Sequence, residues 1–465
     1  MIPVLSPDEM AGVDRQATET VEVLMGRAGA AVARRARQLL GGTYGKRVVV
    51  VAGKGNNGGD GRAAAARLSD GGARVDVLEA GALRPGERLP AADLVIDAAY
   101  GTGLQRAYYP PDPGVTPVLA VDIPSGLSGL TGEVVGDGAV MRAVATVTFA
   151  SYKPGLLVGQ GRVLAGQVQV ADIGVGSLVD KTARCWLVED SDVRALVVRR
   201  PHEAHKWQTA VHVVAGSPGM TGAPWLVSRG ALRAGAGYVR LSMPGVGPSA
   251  LPPSELVHAP VPAVGWHDQV LESLERVKAL VVGPGLGPGP ASGTGPSLEE
   301  EVGLLLARAQ VPAVVDADGL NALGTLGRVA EVTRQRAEAT VITPHVGELT
   351  RLAGQPPGPD RLHAARSAAA LSGAIVLLKG STSVIAAPDG RVLIAASGGP
   401  RLATAGTGDV LSGVVGAFIA RGVPAFEAAA LAAHVHGRAA GRGFGEGLVA
   451  GDVPDLVAAW LSDNL

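Results

Sequence analysis

At 465 residues, with 47% hydrophobic and 18% charged residues, the chain is long enough for two or more globular domains and too apolar to be disordered. Its 41 basic and 42 acidic residues leave a net charge of -1, which excludes the strongly basic surface of a nucleic-acid or membrane binder. A lone cysteine, Cys185, excludes an intrachain disulfide and fits a reducing compartment. The opening MIPVLSPDEM has no basic or apolar leader, and no apolar run is long enough to span a bilayer. A soluble cytoplasmic homo-oligomer acting on small molecules is therefore expected.

Ser6-Pro7-Asp8-Glu9 reads as a capping box with proline at the first helical position, so a helix is expected to about Thr18. A second is expected over 23–40. Residues 46–52, KRVVVVA, form a β-branched run typical of a buried parallel strand. It runs into GKGNNGGDG (53–61), with a helix expected from 62 to 70. The loop matches GxGxxG, and Glu79 stands near the end of the next strand, so a dinucleotide-binding site is a first reading. Asn56, Asn57 and Asp60 argue against it: they add oxygens where a pyrophosphate needs N–H donors, and suit a hydroxyl-rich ligand or a hard monovalent cation. Further strands are expected at 73–78, 93–97, 118–122, 146–149 and 167–175. Asn57, Asp97, Asp122, Ser125 and Lys153 all fall at or just beyond strand ends, where doubly wound sheets bind ligands.

In that order GKGNNGGDG, VIDAAYGTGL, VDIPSG and TFASYKPGL resemble the NAD(P)H-hydrate epimerase (YjeF N-terminal) family. The resemblance implies a Rossmann-like three-layer αβα domain over 1–180. It implies a potassium ion held by Asn57, Asp97 and Ser125. Substrate would be held by Asn56, Asn57, Gly58, Gly59 and Asp60, by Gly101, Thr102, Gly103, Leu104, Gln105, Arg106 and Ala107, and by Asp122. Asp122 and Lys153 would assist proton transfer as C6 of a hydrated nicotinamide ring inverts.

The second half repeats the βα alternation. Strands are expected at 211–215, 238–243, 280–282, 313–316, 341–343 and 375–378, then a hairpin about Pro388-Asp389-Gly390. Residues 402–413, LATAGTGDVLSG, place small residues and glycines before an apolar helix. Such a turn leaves N–H groups unpaired at a helix N-terminus, an anion site, with Asp409 as an acid beside it. A carboxylate there suits a base that takes the proton from a hydroxyl attacking phosphorus. Lys379 with Gly380-Ser381-Thr382-Ser383 suits a nucleotide phosphate. His345 sits at a strand end, where a ligand contact is expected. Asp316 and Asp318 read equally as metal ligands or as caps, and Glu348 as a water-mediated magnesium contact. His434 and His436, two apart, fall on different helix faces and do not share a metal.

GSPGMTGA, ALRAGAG, GPGLG, VDADGLNAL, TPHVGEL, LLKGSTSVI and ATAGTGDVLSG, in this order, resemble the ADP-dependent NAD(P)H-hydrate dehydratase family. This implies a ribokinase-like α/β domain over 185–465. It implies nucleotide contacts from Lys379, Gly380, Ser381, Thr382, Ser383 and Gly408, and hydrated-dinucleotide contacts from Ala223, Gly285, His345 and Asp409. ADP would be the phosphoryl donor, with Mg2+ on its phosphates, and the substrates would be the NADH and NADPH hydrates, NADHX and NADPHX. The whole chain would then be a multifunctional isomerase and lyase of metabolite repair. Two departures, Trp207 in place of a glycine and Gly399-Pro400-Arg401-Leu402 in place of Asn-Pro-Gly-Met, are expected near the mouth of the site. The rival readings are a ribokinase-like small-molecule kinase and a non-catalytic scaffold.

Overall fold

Runs of valine, isoleucine and leucine without a polar alternation become the central strands of two sheets, covered on both faces. The computed structural model describes residues 1–252, 254–289 and 295–465, and they divide into two units, Ile2–Cys185 and Trp186–Leu465 together with Met1.

In the first unit β1 (Arg47–Ala52), β2 (Arg74–Glu79), β3 (Leu94–Ala98), β4 (Val118–Val121), β5 (Ala145–Phe149) and β6 (Gln167–Ala171) form a parallel sheet ordered β2-β1-β3-β4-β5-β6. β3, β4 and β5 are buried throughout, whereas the edge strand β2 carries Arg74, Asp76 and Glu79 and stays largely exposed. One face is covered by α2 (Val21–Leu40) and α3 (Asn56–Asp70). Their backbones approach closely because Gly29 has no side chain: a Cβ there would sit 2.5 Å from that of Ala63. The connections 99–117 and 122–144, which run as turns and extended chain, help build the other face, burying Tyr108 and Met141 against Val49, Val51 and Val95. The capping box of Ser6 and Glu9 forms as expected and starts α1 (Pro7–Gln16).

One local expectation changes. The helix expected from 62 begins at Asn56, so the glycine-rich stretch is mostly the first two turns of α3 rather than a loop. The stretch 176–184 contains a helix, Gly176–Thr182.

In the second unit β7 (Ala210–Val214), β8 (Tyr238–Ser242), β9 (Val257–His258), β10 (Ala279–Val282), β11 (Ala313–Val315), β12 (Thr340–Ile342), β13 (Ile375–Leu378), β14 (Ser383–Ala386) and β15 (Val392–Ala395) run in the order β15-β14-β13-β12-β11-β10-β7-β8-β9. The pairs from β12 to β9 are parallel, and β13-β14-β15 is an antiparallel meander whose second turn holds Gly390 at φ 87°. Three helices frame the site: α4 (Gly222–Arg233), α5 (Val346–Ala353) and α6 (Thr407–Ala420), with α7 (Ala425–Ala440) behind α6. α6 is the axis of this core. From Val410 to Ala420 every residue is buried. Gly230 of α4 lets the two backbones touch, since a Cβ there would lie 2.5 Å from the Val410 carbonyl oxygen. The N-terminus of α6 is thereby held rigidly at the C-terminal edge of the sheet.

Candidate functional site

The first unit's site is built around Asp122, which follows β4 with φ 64°, a conformation an aspartate seldom adopts and a form of strain typical of functional positions. Its amide donates to the Val147 carbonyl at 2.7 Å. Its Oδ1 lies 2.8 Å from Lys153 Nζ and accepts from the Thr148 hydroxyl at 3.1 Å. Lys153 is only 2% exposed and also donates to Thr148 Oγ1 at 3.0 Å and to the Phe149 carbonyl at 2.9 Å. All three ammonium protons are therefore spoken for.

Beside this fixed pair stand two free carboxyls. Asp60 on α3 and Asp14 on α1 face the same cavity of about 380 Å³, together with Asn57, Gly101, Asp122 and Lys153. Among the described residues neither side chain makes a hydrogen bond. Burial, with the negative charges of Asp122 and Asp14, pushes Asp60 up to about 8 against the pull of Lys153. Burial raises Asp14 as well, Lys153 opposing it and Asp122 adding to it.

Asp97 is fully buried and accepts from the Ser125 amide at 2.8 Å and the Ser125 hydroxyl at 2.6 Å. Among the described residues no basic side chain pairs with it, and burial raises its pKa. Both polar atoms of the Asn57 amide are buried without a partner. Gly101 lies against this group: a Cβ there would be 3.6 Å from the Asn57 side chain and from Asp122 Oδ2.

The second unit's site gathers strand-end loops around the start of α6. Gly406 takes φ 89° and the helix begins at Thr407, whose hydroxyl donates to the Leu402 and Thr404 carbonyls at 2.9 and 3.1 Å. The first ladder bond is from Val410 to Gly406, so the amides of Gly408 and Asp409 have no intrahelical acceptor. Lys379, at the end of β13, lies 2.7 Å from Asp316 Oδ1 and 3.6 Å from Glu348 Oε2. Asp316, 1% exposed, also accepts from the Ser412 hydroxyl at 2.6 Å and the Ala317 amide at 2.9 Å. Burial alone would lower the Lys379 ammonium, but Asp316, Glu348 and Asp409 hold it above its ordinary value. Asp409 itself is pushed up to about 7, by burial first and then by Asp316, with Lys379 opposing. A cavity of about 410 Å³ opens beside it, lined by Lys379, Gly380, Ser381, Ser383 and Gly408 at its polar side.

Residues 211–460 match the family model described as NAD(P)H-hydrate dehydratase, and residues 21–90 and 79–155 match that of the YjeF-related protein N-terminus. The bifunctional NAD(P)H-hydrate repair enzyme of Salinibacter ruber is 35% identical over 98% of this chain and 95% of its own length. That of Moorella thermoacetica is 37% identical over 97% and 94%. This chain belongs to the bifunctional NAD(P)H-hydrate repair enzymes. A solved ADP/ATP-dependent NAD(P)H-hydrate dehydratase from Bacillus subtilis overlays 60% of this chain and 98% of its own, with 24% identity and a TM-score of 0.49.

The expected residues of this repair enzyme fall into place unevenly. Asn56, Asn57, Asp60, Gly101, Thr102, Gly103, Asp122 and Lys153 share the first cavity. Leu104, Gln105 and Arg106 line an adjoining recess of about 370 Å³ with Tyr100, while Ala107 lines neither and faces Gly136. Gly58 and Gly59 serve packing: Gly58 lies against the Gly53 backbone and Gly59 against Met25. Glu79, the acid of the dinucleotide reading, is tied to Arg62 at 2.5 Å. In the second unit Thr382 is buried but does not line the nucleotide cavity. Ala223 and Gly285 adjoin, a Cβ on the glycine lying 2.9 Å from that of Ala223.

Asp318 accepts from the Gly287 amide at 2.9 Å and from the Asn321 side chain at 3.2 Å, so it ties a neighbouring loop and does not cap its own helix. His345 caps α5, its Nδ1 accepting from the Gly347 and Glu348 amides at 3.0 and 3.2 Å, while its side chain stays half exposed. Of the two departures from the family pattern, 399–402 does border the cavity, through Gly399, Pro400 and Leu402. Trp207 does not. It stacks on Tyr238 at 4.4 Å, and Tyr238 pairs with Ala210, so the tryptophan lies at the N-terminal edge of the sheet, opposite the loops that form the site.

Asp14 was not expected. Its signal was present: Pro7, Met10 and Asp14 are spaced to share one helix face, and all three line the first cavity.

Proposed function

We propose that each half of the chain carries one step of repair, with the residues above in defined roles. In the first cavity the C6 hydroxyl of the hydrated ring takes a proton from Asp60 and leaves as water, the ring nitrogen's lone pair stabilising the cation. Asp122 then accepts a proton from the water that returns on the other face. Lys153, its protons committed, positions Asp122. Asn57, Asp97 and Ser125 fit a potassium ion: Asp97 is a buried carboxylate without a cationic partner, and the Asn57 amide oxygen is unpartnered. The ion would neutralise Asp97 and fix the loop that meets the substrate.

In the second unit Asp409 accepts the proton of the C6 hydroxyl as that oxygen attacks the β-phosphorus of ADP, giving AMP. Amides of 405–408 and Lys379 stabilise the charge on the transferring group, and Lys379 to Ser383 with Gly408 hold the nucleotide. The C6–O bond then breaks with phosphate as leaving group, and loss of a C5 proton restores NADH or NADPH. Both oxygens of Asp316 are occupied, so a magnesium ion would ride on the phosphates, with Glu348 reaching it through water. When bound, it shields the phosphate charges.

The observation that carries this reading is the free, raised carboxyl of Asp409 beside an anion site and a fixed lysine. Among the described residues no helix is long and apolar enough to cross a membrane. The reading includes a cytoplasmic, homo-oligomeric enzyme, which cell fractionation and light scattering would check. Incubating the protein with the S hydrate and ADP should regenerate NADH absorbance with equimolar AMP. Absence of both would defeat the proposal.

A further inference from the structure

Four histidines are buried in the second unit's helices and strands, and they are not alike. His267 is bonded to the buried Glu301 at 2.6 Å. His212 is bonded at both nitrogens, to Ser242 at 3.0 Å and Ser273 at 3.1 Å, a satisfied core histidine. His434 is bonded to Asp190 at 2.7 Å and does not line the nucleotide cavity. His436, only 5% exposed, does line it, and its Nε2 is buried without a partner. An unpaired ring nitrogen in the interior is costly unless a ligand supplies the missing bond.

The tautomer follows from the other nitrogen. His436 is hydrogen-bonded to the backbone of Thr407 in a way that favours its protonated form, which only a carbonyl acceptor does. With Nε2 unpartnered, Nδ1 is the nitrogen that carries the proton to that carbonyl. Burial lowers the imidazole to about 4, so the ring is neutral at ordinary pH and Nε2 offers a bare lone pair. The ring is also held in place. Gly437 presses α7 against the preceding loop, a Cβ there meeting Ser397 Oγ at 2.5 Å and the Gly398 amide at 2.6 Å. Around it, Leu402, Ala403, Leu411 and Ala433 supply the apolar surface that a flat purine buries, while Lys379 and Gly408 supply charge and amide for phosphates.

We infer that His436 Nε2 accepts a hydrogen bond from the exocyclic amine of the nucleotide base and so selects adenine over a base with an oxygen at that position. The inference rests on the nucleotide reading of this cavity. An oxygen in place of the amine sets two lone pairs against each other and leaves Nε2 unpaired, the arrangement by which a site rejects an analogue most strongly.

The test compares ADP with inosine diphosphate, which carries that oxygen, in the dehydratase assay with the full chain and the S hydrate. Wild-type kcat/KM should favour ADP by at least about tenfold, the value of one buried hydrogen bond. His436→Leu should raise KM for ADP and bring the ratio to about one, and His436→Gln, whose amide oxygen is again an acceptor, should restore part of it. A wild-type enzyme that uses the two nucleotides equally overturns the inference even if the variants fail to fold. So does a His436→Leu enzyme that keeps the wild-type ratio. If neither nucleotide supports NADH formation, the nucleotide reading itself fails; if ADP works and the ratio is insensitive to His436, only this inference does.

Discussion

The two sites solve one electrostatic problem with opposite assignments. Each holds a lysine against an aspartate, the buried Lys153 with Asp122 at 2.8 Å and the partly buried Lys379 with Asp316 at 2.7 Å, and each sets a second carboxyl nearby whose pKa is raised, Asp60 to about 8 and Asp409 to about 7. In the first unit the paired aspartate lines the cavity with strained backbone, so Asp122 is able to touch substrate. In the second the paired aspartate is 1% exposed and its oxygens are taken by Lys379, Ser412 and the Ala317 amide. Asp316 is therefore a support, and the free carboxyl, Asp409, is left to act. A buried ion pair does not by itself mark a catalytic residue; which partner keeps an open lone pair toward the cavity does.

Substitutions can break this comparison in turn. Asp409→Asn should lower dehydratase turnover by about 10³-fold, within the range for a lost general base, and leave conversion of R to S hydrate intact. Asp122→Ala should lower that conversion by about 10²-fold and leave S-hydrate repair intact. Chiral separation of the hydrates alongside NADH absorbance reads both. Equal damage to both activities by either variant would show that the two sites are not independent.

The supports predict a loss of stability instead. Lys379→Met strands Asp316 as an unpaired buried acid, and should cost about 3 kcal/mol in denaturant unfolding of the second unit. Asp316→Asn in the same background should recover part of it, since no charge is then left alone.

The pH limbs should point in opposite directions. Asp409 is the proposed base, so dehydratase kcat/KM should be full above about 7 and fall as pH drops through that value. Asp60 is the proposed acid, so epimerase kcat/KM should be full below about 8 and fall as pH rises through it. Asp60→Asn should abolish that basic limb. The smallest expected effect is ionic: replacing potassium with a bulky organic cation should slow epimerisation alone.

How much of this was legible in the sequence depended on what kind of fact was asked for. The α/β class followed from β-branched runs such as 46–52 and 375–378 alternating with helical stretches. The loop 404–409 announced an anion site because glycine spacing and an acid before an apolar run are local features. What the sequence hid was three-dimensional. That α3 begins at Asn56 depends on Gly58 and Gly59 packing against Gly53 and Met25, contacts invisible to local propensity, which disfavours glycine in helices. The commitment of every Lys153 proton, and of both Asp316 oxygens, is set by Thr148, Phe149 and Ser412, which lie inside TFASYKPGL and ATAGTGDVLSG but whose partners no local pattern reveals. Trp207 was expected at the site because it follows a motif residue, yet it precedes β7, and strand direction alone puts it at the far edge.

The central claim is that one chain corrects the epimer and then dehydrates it. Pure R hydrate, ADP, potassium and magnesium should give NADH with wild-type enzyme, faster than spontaneous epimerisation allows. An Asp122→Ala and Asp409→Asn mixture should give it too, because each variant lacks only one step, whereas either variant alone should not. Failure of the wild-type enzyme to form NADH from the R hydrate while it consumes the S hydrate would contradict the account.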